Sequence, residues 1–257
     1  MQQSASQDSQ KSTITPNYQK IGIIGAMQEE ITPLLSLFPT HTAQAMGGNV
    51  YYEIPYKNAT LYVAYSKIGK VHSAMTATTM IAHFGCEAII FGGVAGALNK
   101  DLKIGDILIA TKLCQHDVDI SAFGHPLGFI PESKLFIESS KILNGIASLV
   151  AQEYGAQSAG TKEGILLKEG VIASGDEFVH NAEKKQWLID TFGADAVEME
   201  GASVAVVCDS FGVPFCVFRS ISDSADGSAD VSFDEFLDSS AKICAEFVKK
   251  MLDKILG

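Results

Sequence analysis

The chain has 257 residues, 47% of them hydrophobic, and a formal net charge of −11. That content is ample for the buried core of one large α/β domain, while the acidity argues against a nucleic-acid partner, which would need a basic stripe. No run approaches the roughly eighteen apolar residues of a membrane span, so no membrane partner is expected.

Residues 1–19 (MQQSASQDSQKSTITPNYQ) are rich in Gln, Ser and Thr and predict a disordered tail; one domain is expected over 20–257. Its first strand, Ile21–Ile24, enters the glycine turn GIIGAM (22–27) and a helix over Glu29–Leu37. Strand Leu61–Tyr65 precedes a helix over Val71–Phe84, with Gly85 expected as its left-handed C-cap. Ala88–Phe91 leads into GGVAGAL (92–98), which reads as a tight strand-to-helix turn or as backbone that comes close to a small ligand. Next come strand Asp106–Ala110 and a helix over Ser133–Tyr154 capped by Gly155. Strand Gly170–Ala173, helix Asn181–Phe192 with Gly193, strand Ala194–Glu198, helix Gly201–Phe211 with Gly212 and strand Pro214–Ser220 follow. The last helix is predicted from the capping box Ser232/Glu235, with Phe236, Leu237, Cys244, Phe247, Val248, Met251, Leu252 and Ile255 as its core stripe. This alternation predicts an α/β fold with a central mixed β-sheet flanked by helices.

Neither glycine turn matches G-x-G-x-x-G or the Walker pattern, and neither carries a basic residue, so no nucleotide cofactor is expected. Cys86, Cys114, Cys208, Cys216 and Cys244 form no CxxC pair and read as buried, reduced thiols of a cytoplasmic protein. The six histidines show no metal-ligand spacing, and no metal is expected.

Acidic residues close several of these strands: Glu30 after the first, Glu198 and Glu200 in AVEMEGAS (196–203), and Asp223 in RSISDS (219–224). Taken singly, Glu30 reads as a first-turn acid and Asp223 as a turn residue. Glu198 and Glu200 share one face if the strand runs through Met199, and the apolar helix that follows at once puts Glu200 in a packed strand-to-helix corner rather than in solvent. Strand ends border the ligand crevice of an α/β sheet, so their shared location favours chemistry on a sugar over capture of a phosphate.

The motifs GIIGAMQEE, SKIGKVHSA (66–74), GGVAGAL, GDILIA (105–110), DVDISAFGHPLGFIP (117–131), IASGDEFV (172–179), AVEMEGA (196–202) and RSISDSAD (219–226) stand in one order. In that order the chain resembles the bacterial 5′-methylthioadenosine/S-adenosylhomocysteine nucleosidases. HPLGFIP in particular resembles the subset that also hydrolyses 6-amino-6-deoxyfutalosine. The resemblance implies a nucleoside phosphorylase-type fold, a homodimer, and hydrolysis of the N-glycosidic bond of 5′-substituted adenine nucleosides, 5′-deoxyadenosine among them. It makes Glu30 the residue that activates water and Asp223, supported by Ser222, the acid at adenine N7. Glu200 would bind the ribose hydroxyls, Met199 would pack on the sugar, and Arg219 and Glu198 would complete the polar network. Phe178 would stack on adenine and the Val179 backbone would read its edge, while Met27, Ile68 and Phe233 line the sugar and 5′ side. Ile120, Phe123, His125 and Pro131 match the segment that reaches the partner subunit's 5′ pocket. Departures are Val94 and His125, where Ser and Tyr are common, and Gly201, where Ala is common and whose backbone is therefore expected to be less restrained.

Such a hydrolysis passes through an oxocarbenium-like transition state. Asp223 must then hold a proton for the leaving base, and Glu30 must be ionised to take one from water. A purine nucleoside phosphorylase and a non-catalytic nucleoside-binding protein are the competing readings.

Overall fold

The computed structural model describes residues 16–158, 167–225 and 229–257. Its ten strands form one sheet, part of which closes on itself. Strand β1 (Lys20–Gly25) pairs in parallel with β4 (Ala59–Tyr65) and with β5 (Ala88–Ala97). An antiparallel hairpin, β2 (Thr42–Met46) and β3 (Asn49–Tyr56), extends the β4 side. On the other side β5 pairs in parallel with β10 (Phe215–Asp223), which runs antiparallel to β6 (Ile107–Gln115). From β6 the ring continues in parallel through β8 (Leu167–Ser174) and β9 (Ala196–Glu198), and β9 returns antiparallel to β5. The short β7 (Ile137–Glu138) lies on β6.

Strand β5 is therefore a fork. One edge pairs with β10, while the other pairs with β1 over Ala88–Phe91 and with β9 at Gly96 and Ala97. Between Phe91 and Gly96, β1 and β9 diverge, and backbone of β5 is left for a side chain to bond. All ten residues of β5 are buried.

Helices α1 (Gln28–Ser36), α3 (Lys141–Ser158) and α6 (Ala229–Leu256) share one apolar cluster with the sheet, built around Ile21, Ile23, Leu61, Phe218, Phe247 and Met251. Helices α2 (Lys70–Ala82) and α5 (Gly201–Phe211) belong to a second cluster around Met80, Ile89, Phe91, Val204 and Val217. Helix α4 (Ala182–Phe192) packs a smaller third cluster through Leu188 and Phe192. Among the described residues no helix is long and apolar enough to cross a membrane. The five cysteines are free and buried.

Several expectations need correction. GGVAGAL is the second half of β5 rather than a turn. Gly155 lies inside α3 rather than capping it, and α3 starts at Lys141, since the segment over 133–140 carries β7. The last helix begins at Ala229, so Ser232 lies within it rather than at its cap. The β2–β3 hairpin was not foreseen; Gly47 and Gly48, with φ of 60° and 74°, make the two-residue turn that matches the strand twist. Gly193 and Gly212 do cap their helices in the left-handed conformation. Of the expected tail, residues 1–15 lie outside the described residues, and Gln19 already accepts a bond from the Thr60 N–H at 2.8 Å.

Candidate active site

A cavity of about 350 Å³ occupies the fork. Its walls are Ala26, Met27 and Glu30 at the β1–α1 corner, Ile68 before α2, and Val94, Ala95 and Gly96 of β5. Glu177, Phe178 and Val179 after β8, Val197, Glu198, Met199 and Glu200 at the β9–α5 corner, and Ser222 and Asp223 ending β10 complete it. Five of these side chains are carboxylates, and none is Lys, Arg or His.

Glu30 sits in the first turn of α1, where a carboxylate suits the positive end of the helix. It is 6% exposed. Its Oε2 accepts the N–H groups of Ala26 at 2.5 Å and Met27 at 2.9 Å. Its Oε1 accepts Val94 N–H at 3.0 Å, from the stretch of β5 that the fork exposes. Burial pushes its proton affinity above the usual carboxylate range, against the opposing pull of Arg219 and the three backbone donors.

Arg219 lies on β10, 1% exposed, with its guanidinium 4.1 Å from the Phe91 ring centroid. Nη2 bonds Glu198 Oε2 at 2.5 Å, and Nη1 donates to the carbonyls of Phe91 and Phe218, both at 3.2 Å. Ser174 Oγ also donates to Glu198 Oε1. Glu198 further accepts the N–H of Glu200 at 3.2 Å and of Gly201 at 3.0 and 2.7 Å. Arg219 thus stands behind the cavity wall rather than in it. Gly201 is held, not loosened: its N–H is shared by both Glu198 oxygens, and a Cβ there would lie 2.8 Å from Leu113 Cδ2.

Strand β9 ends at Glu198, so Glu200 is the N-cap of α5, and the two acids part instead of sharing a strand face. Glu198 turns to Arg219, while Glu200 faces the cavity and accepts Gly69 N–H at 2.8 Å. Burial first, then the Glu198 charge, raise the Glu200 carboxyl to about 8.

A register shift between Ile221 and Asp223 bulges the end of β10. Such an extra residue re-aims the side chains around it. Here it presents Asp223, 3% exposed, to the cavity. Asp223 Oδ2 accepts the Ser222 hydroxyl at 2.9 Å, and Oδ1 accepts Ala225 N–H at 2.7 Å.

The structure brings together Met27, Glu30, Ile68, Phe178, Val179, Glu198, Met199, Glu200, Ser222 and Asp223 on one cavity, with Arg219 behind it. Phe178 and Ile68 are 41% and 54% exposed and form its rim. The side chain of Phe233 lies outside the described residues. Ile120, Phe123, His125 and Pro131 do not line this cavity; they belong to a loop around a 3₁₀ turn at Ser121–Phe123. Phe123 there is 82% exposed.

Sequence reasoning assigned no part to Gly69 or Ser174, and to Gly93 and Gly96 only a close approach of backbone to a ligand. Ser174 Oγ joins Glu198 to α5 by also accepting Ala202 N–H at 2.7 Å. Gly93 and Gly96 leave room for acids: a Cβ at either would stand 2.7 Å from Glu30 Oε1 or Asp223 Oδ1. Two glycines three residues apart, next to a buried strand run, were the available signal for that role.

Comparison with known proteins gives the family. The model of the phosphorylase superfamily matches residues 20–256. An aminodeoxyfutalosine nucleosidase of Helicobacter pylori (strain J99) is 58% identical over 92% of this chain and 100% of its own length. A 5′-methylthioadenosine/S-adenosylhomocysteine nucleosidase of Actinobacillus succinogenes is 38% identical, covering 92% and 99%. A solved structure of a mutant Helicobacter pylori nucleosidase with 5′-methylthioadenosine in its active site superposes with a TM-score of 0.87 at 59% identity, over 92% of this chain and 99% of that one. On these similarities and its fold, the chain belongs to the phosphorylase superfamily, within its family of 5′-methylthioadenosine/S-adenosylhomocysteine and aminodeoxyfutalosine nucleosidases.

Proposed function

We propose that the protein hydrolyses the N-glycosidic bond of 5′-substituted adenine nucleosides, releasing adenine and the 5′-substituted ribose. Methylthioadenosine, S-adenosylhomocysteine, 5′-deoxyadenosine and aminodeoxyfutalosine are its substrates in this reading. The carrying observation is the cavity lining, which among the described residues holds five carboxylates and no cationic side chain. Such a lining suits water as the nucleophile and a ring that becomes positively charged; it suits a phosphate dianion poorly.

In this mechanism Glu30 accepts a proton from water as the water oxygen bonds C1′. The C1′–N9 bond breaks, and Asp223 delivers its proton to N7 so that adenine leaves neutral. Ser222 orients Asp223 through the bond at 2.9 Å. Glu200 holds the ribose hydroxyls, Met199 packs on the sugar, and Met27 and Ile68 bound the 5′ side. Phe178 stacks on the base beside the Val179 backbone. Arg219 and Glu198 fix the back wall, and the raised proton affinity of Glu30 makes it a stronger base than a solvated carboxylate.

The catalytic unit in this reading is one domain over 20–257, working as a cytoplasmic homodimer. Ile120, Phe123, His125 and Pro131 would reach the partner's 5′ pocket; the 82% exposure of Phe123, away from its own cavity, supports that assignment.

The test is adenine release from methylthioadenosine, S-adenosylhomocysteine and aminodeoxyfutalosine, with and without phosphate. Release indifferent to phosphate supports the hydrolase. Release only with phosphate, yielding a ribose 1-phosphate, would make the protein a phosphorylase and remove the role given to Glu30.

A further inference from the structure

Among the described residues, Glu200 is anchored by backbone rather than by a side chain. Its Oε1 accepts the N–H of Gly69, which precedes the first turn of α2 with φ 99° and ψ 159°, a conformation that favours glycine. What fixes Gly69 is its neighbour. The N–H of Lys70 donates to Asp176 Oδ1 at 2.8 Å, and the N–H of Asp176 donates to Asp117 Oδ2 at 2.9 Å. The Lys70 ammonium closes the ring on Asp117 Oδ1 at 2.6 Å and also reaches Gln115 Oε1 at 3.2 Å.

This ring joins three elements that are far apart in sequence: the start of α2, the segment after β6 and the loop after β8. It also encloses Gly69, since a Cβ there would stand 3.0 Å from Asp176 Oδ1. The Lys70 and Asp117 side chains are only 15% and 26% exposed, so the pair is shielded from much of the solvent screening that weakens surface pairs.

We propose that Lys70 is a positioning residue for the reaction: its ion pair with Asp117, closed through Asp176, holds the Gly69 N–H on Glu200 and so sets where the ribose-binding carboxylate stands. This rests on the reading of Glu200 as the residue that binds the ribose hydroxyls. Asp117 also opens the segment that carries Ile120 and Phe123, so the same ring ties that segment to the cavity. Without the ammonium, Asp117 and Asp176 are left as neighbouring acids, and the turn before α2 loses its tether.

The test compares kcat/KM for methylthioadenosine and its 2′-deoxy analogue in the wild type, Lys70→Met, Asp117→Asn and Lys70→Arg. The wild type should prefer the ribonucleoside. Both Lys70→Met and Asp117→Asn should shrink that preference by about tenfold, a coupling of ordinary size for residues in one hydrogen-bond network. Lys70→Arg, which can still pair with Asp117, should restore it. A merely structural role would lower Tm and expression but leave the ratio unchanged, and that result in either folded variant would overturn the proposal. Asp117→Asn keeps an acceptor for Asp176 N–H and so serves where Lys70→Met fails to fold. Failure of the underlying reading shows separately, as a wild type that releases no adenine or does not distinguish the two sugars.

Discussion

Gly96 and Asp223 face each other across adjacent parallel strands, paired in register, and a Cβ on Gly96 would lie 2.7 Å from Asp223 Oδ1. A Cβ on Gly93 of the same strand would likewise lie 2.7 Å from Oε1 of Glu30, which comes from helix α1. The two acids given opposite proton-transfer roles are therefore seated against one strand, each in a gap that a missing side chain leaves.

Gly96→Ala should displace Asp223 and lower kcat by at least about tenfold, with a stability loss of about 1–3 kcal/mol from overpacking. At about 2–4 °C per kcal/mol for a chain of this size, the shift is visible in a thermal melt. Wild-type turnover in Gly96→Ala would show that the position of Asp223 is not critical.

Asp223→Asn should reduce adenine release by about 10²–10⁴-fold while substrate still binds, because the amide keeps the shape and lacks the proton. Calorimetric titration with methylthioadenosine beside a turnover assay separates the two effects. Unchanged turnover removes Asp223 from the role of acid.

Arg219→Met should be severely destabilising. It leaves Glu198, 7% exposed, without its cation and takes compensating charge away from Glu30. Breaking a buried pair by removing one partner costs about 3–5 kcal/mol. Denaturant unfolding measures the loss.

The raised Glu200 carboxyl makes a prediction about pH. Its proton is bound more tightly in the fold, at about 8, than the ordinary 4.5 of the unfolded chain. The stability it contributes is thus complete below about pH 4.5 and is lost as pH rises through 8. Glu30 shifts in the same direction. Between roughly pH 5 and 9, Tm should fall, and Glu200→Gln, which carries no proton to lose, should flatten part of that fall while abolishing activity. A Tm profile that is identical in both proteins would contradict the placement of Glu200.

Burial raises the thiols of Cys86, Cys114, Cys208, Cys216 and Cys244, the first to about 12. No native thiol should react with a disulfide reagent at about pH 8, and all five should react after unfolding.

The strands with strong apolar runs and the helices with clear stripes were legible: β1, β4, β8, α2, α4 and α5 lie close to their expected spans. The misses share a physical cause. Gly92 to Gly96 have turn-like composition, but their place in β5 is decided by Phe218, Glu30 and Asp223, contacts up to about 130 residues away in sequence, which no local propensity carries. Closure of the ring through β9 is likewise non-local. The hairpin over 42–56 was readable, since Gly47-Gly48 between alternating residues is a known turn signal. For the site, motif resemblance supplied the identities of the cavity residues. It could not show that Glu198 and Glu200 part at the end of β9, because that depends on where the strand stops.

The fork in β5 divides the pocket into parts of unlike stiffness. Glu30 is held by the N–H of Val94, on a strand whose ten residues are all buried, and an amide of this kind opens only with the larger unfolding events of a protein. Ile68 and Phe178 at the opposite wall stand on connecting segments and are half open to solvent. Traffic of nucleoside and adenine is thereby assigned to the yielding side, where side chains can swing in nanoseconds. Glu30, the acid given the task of taking a proton from water, is held by the part that opens least.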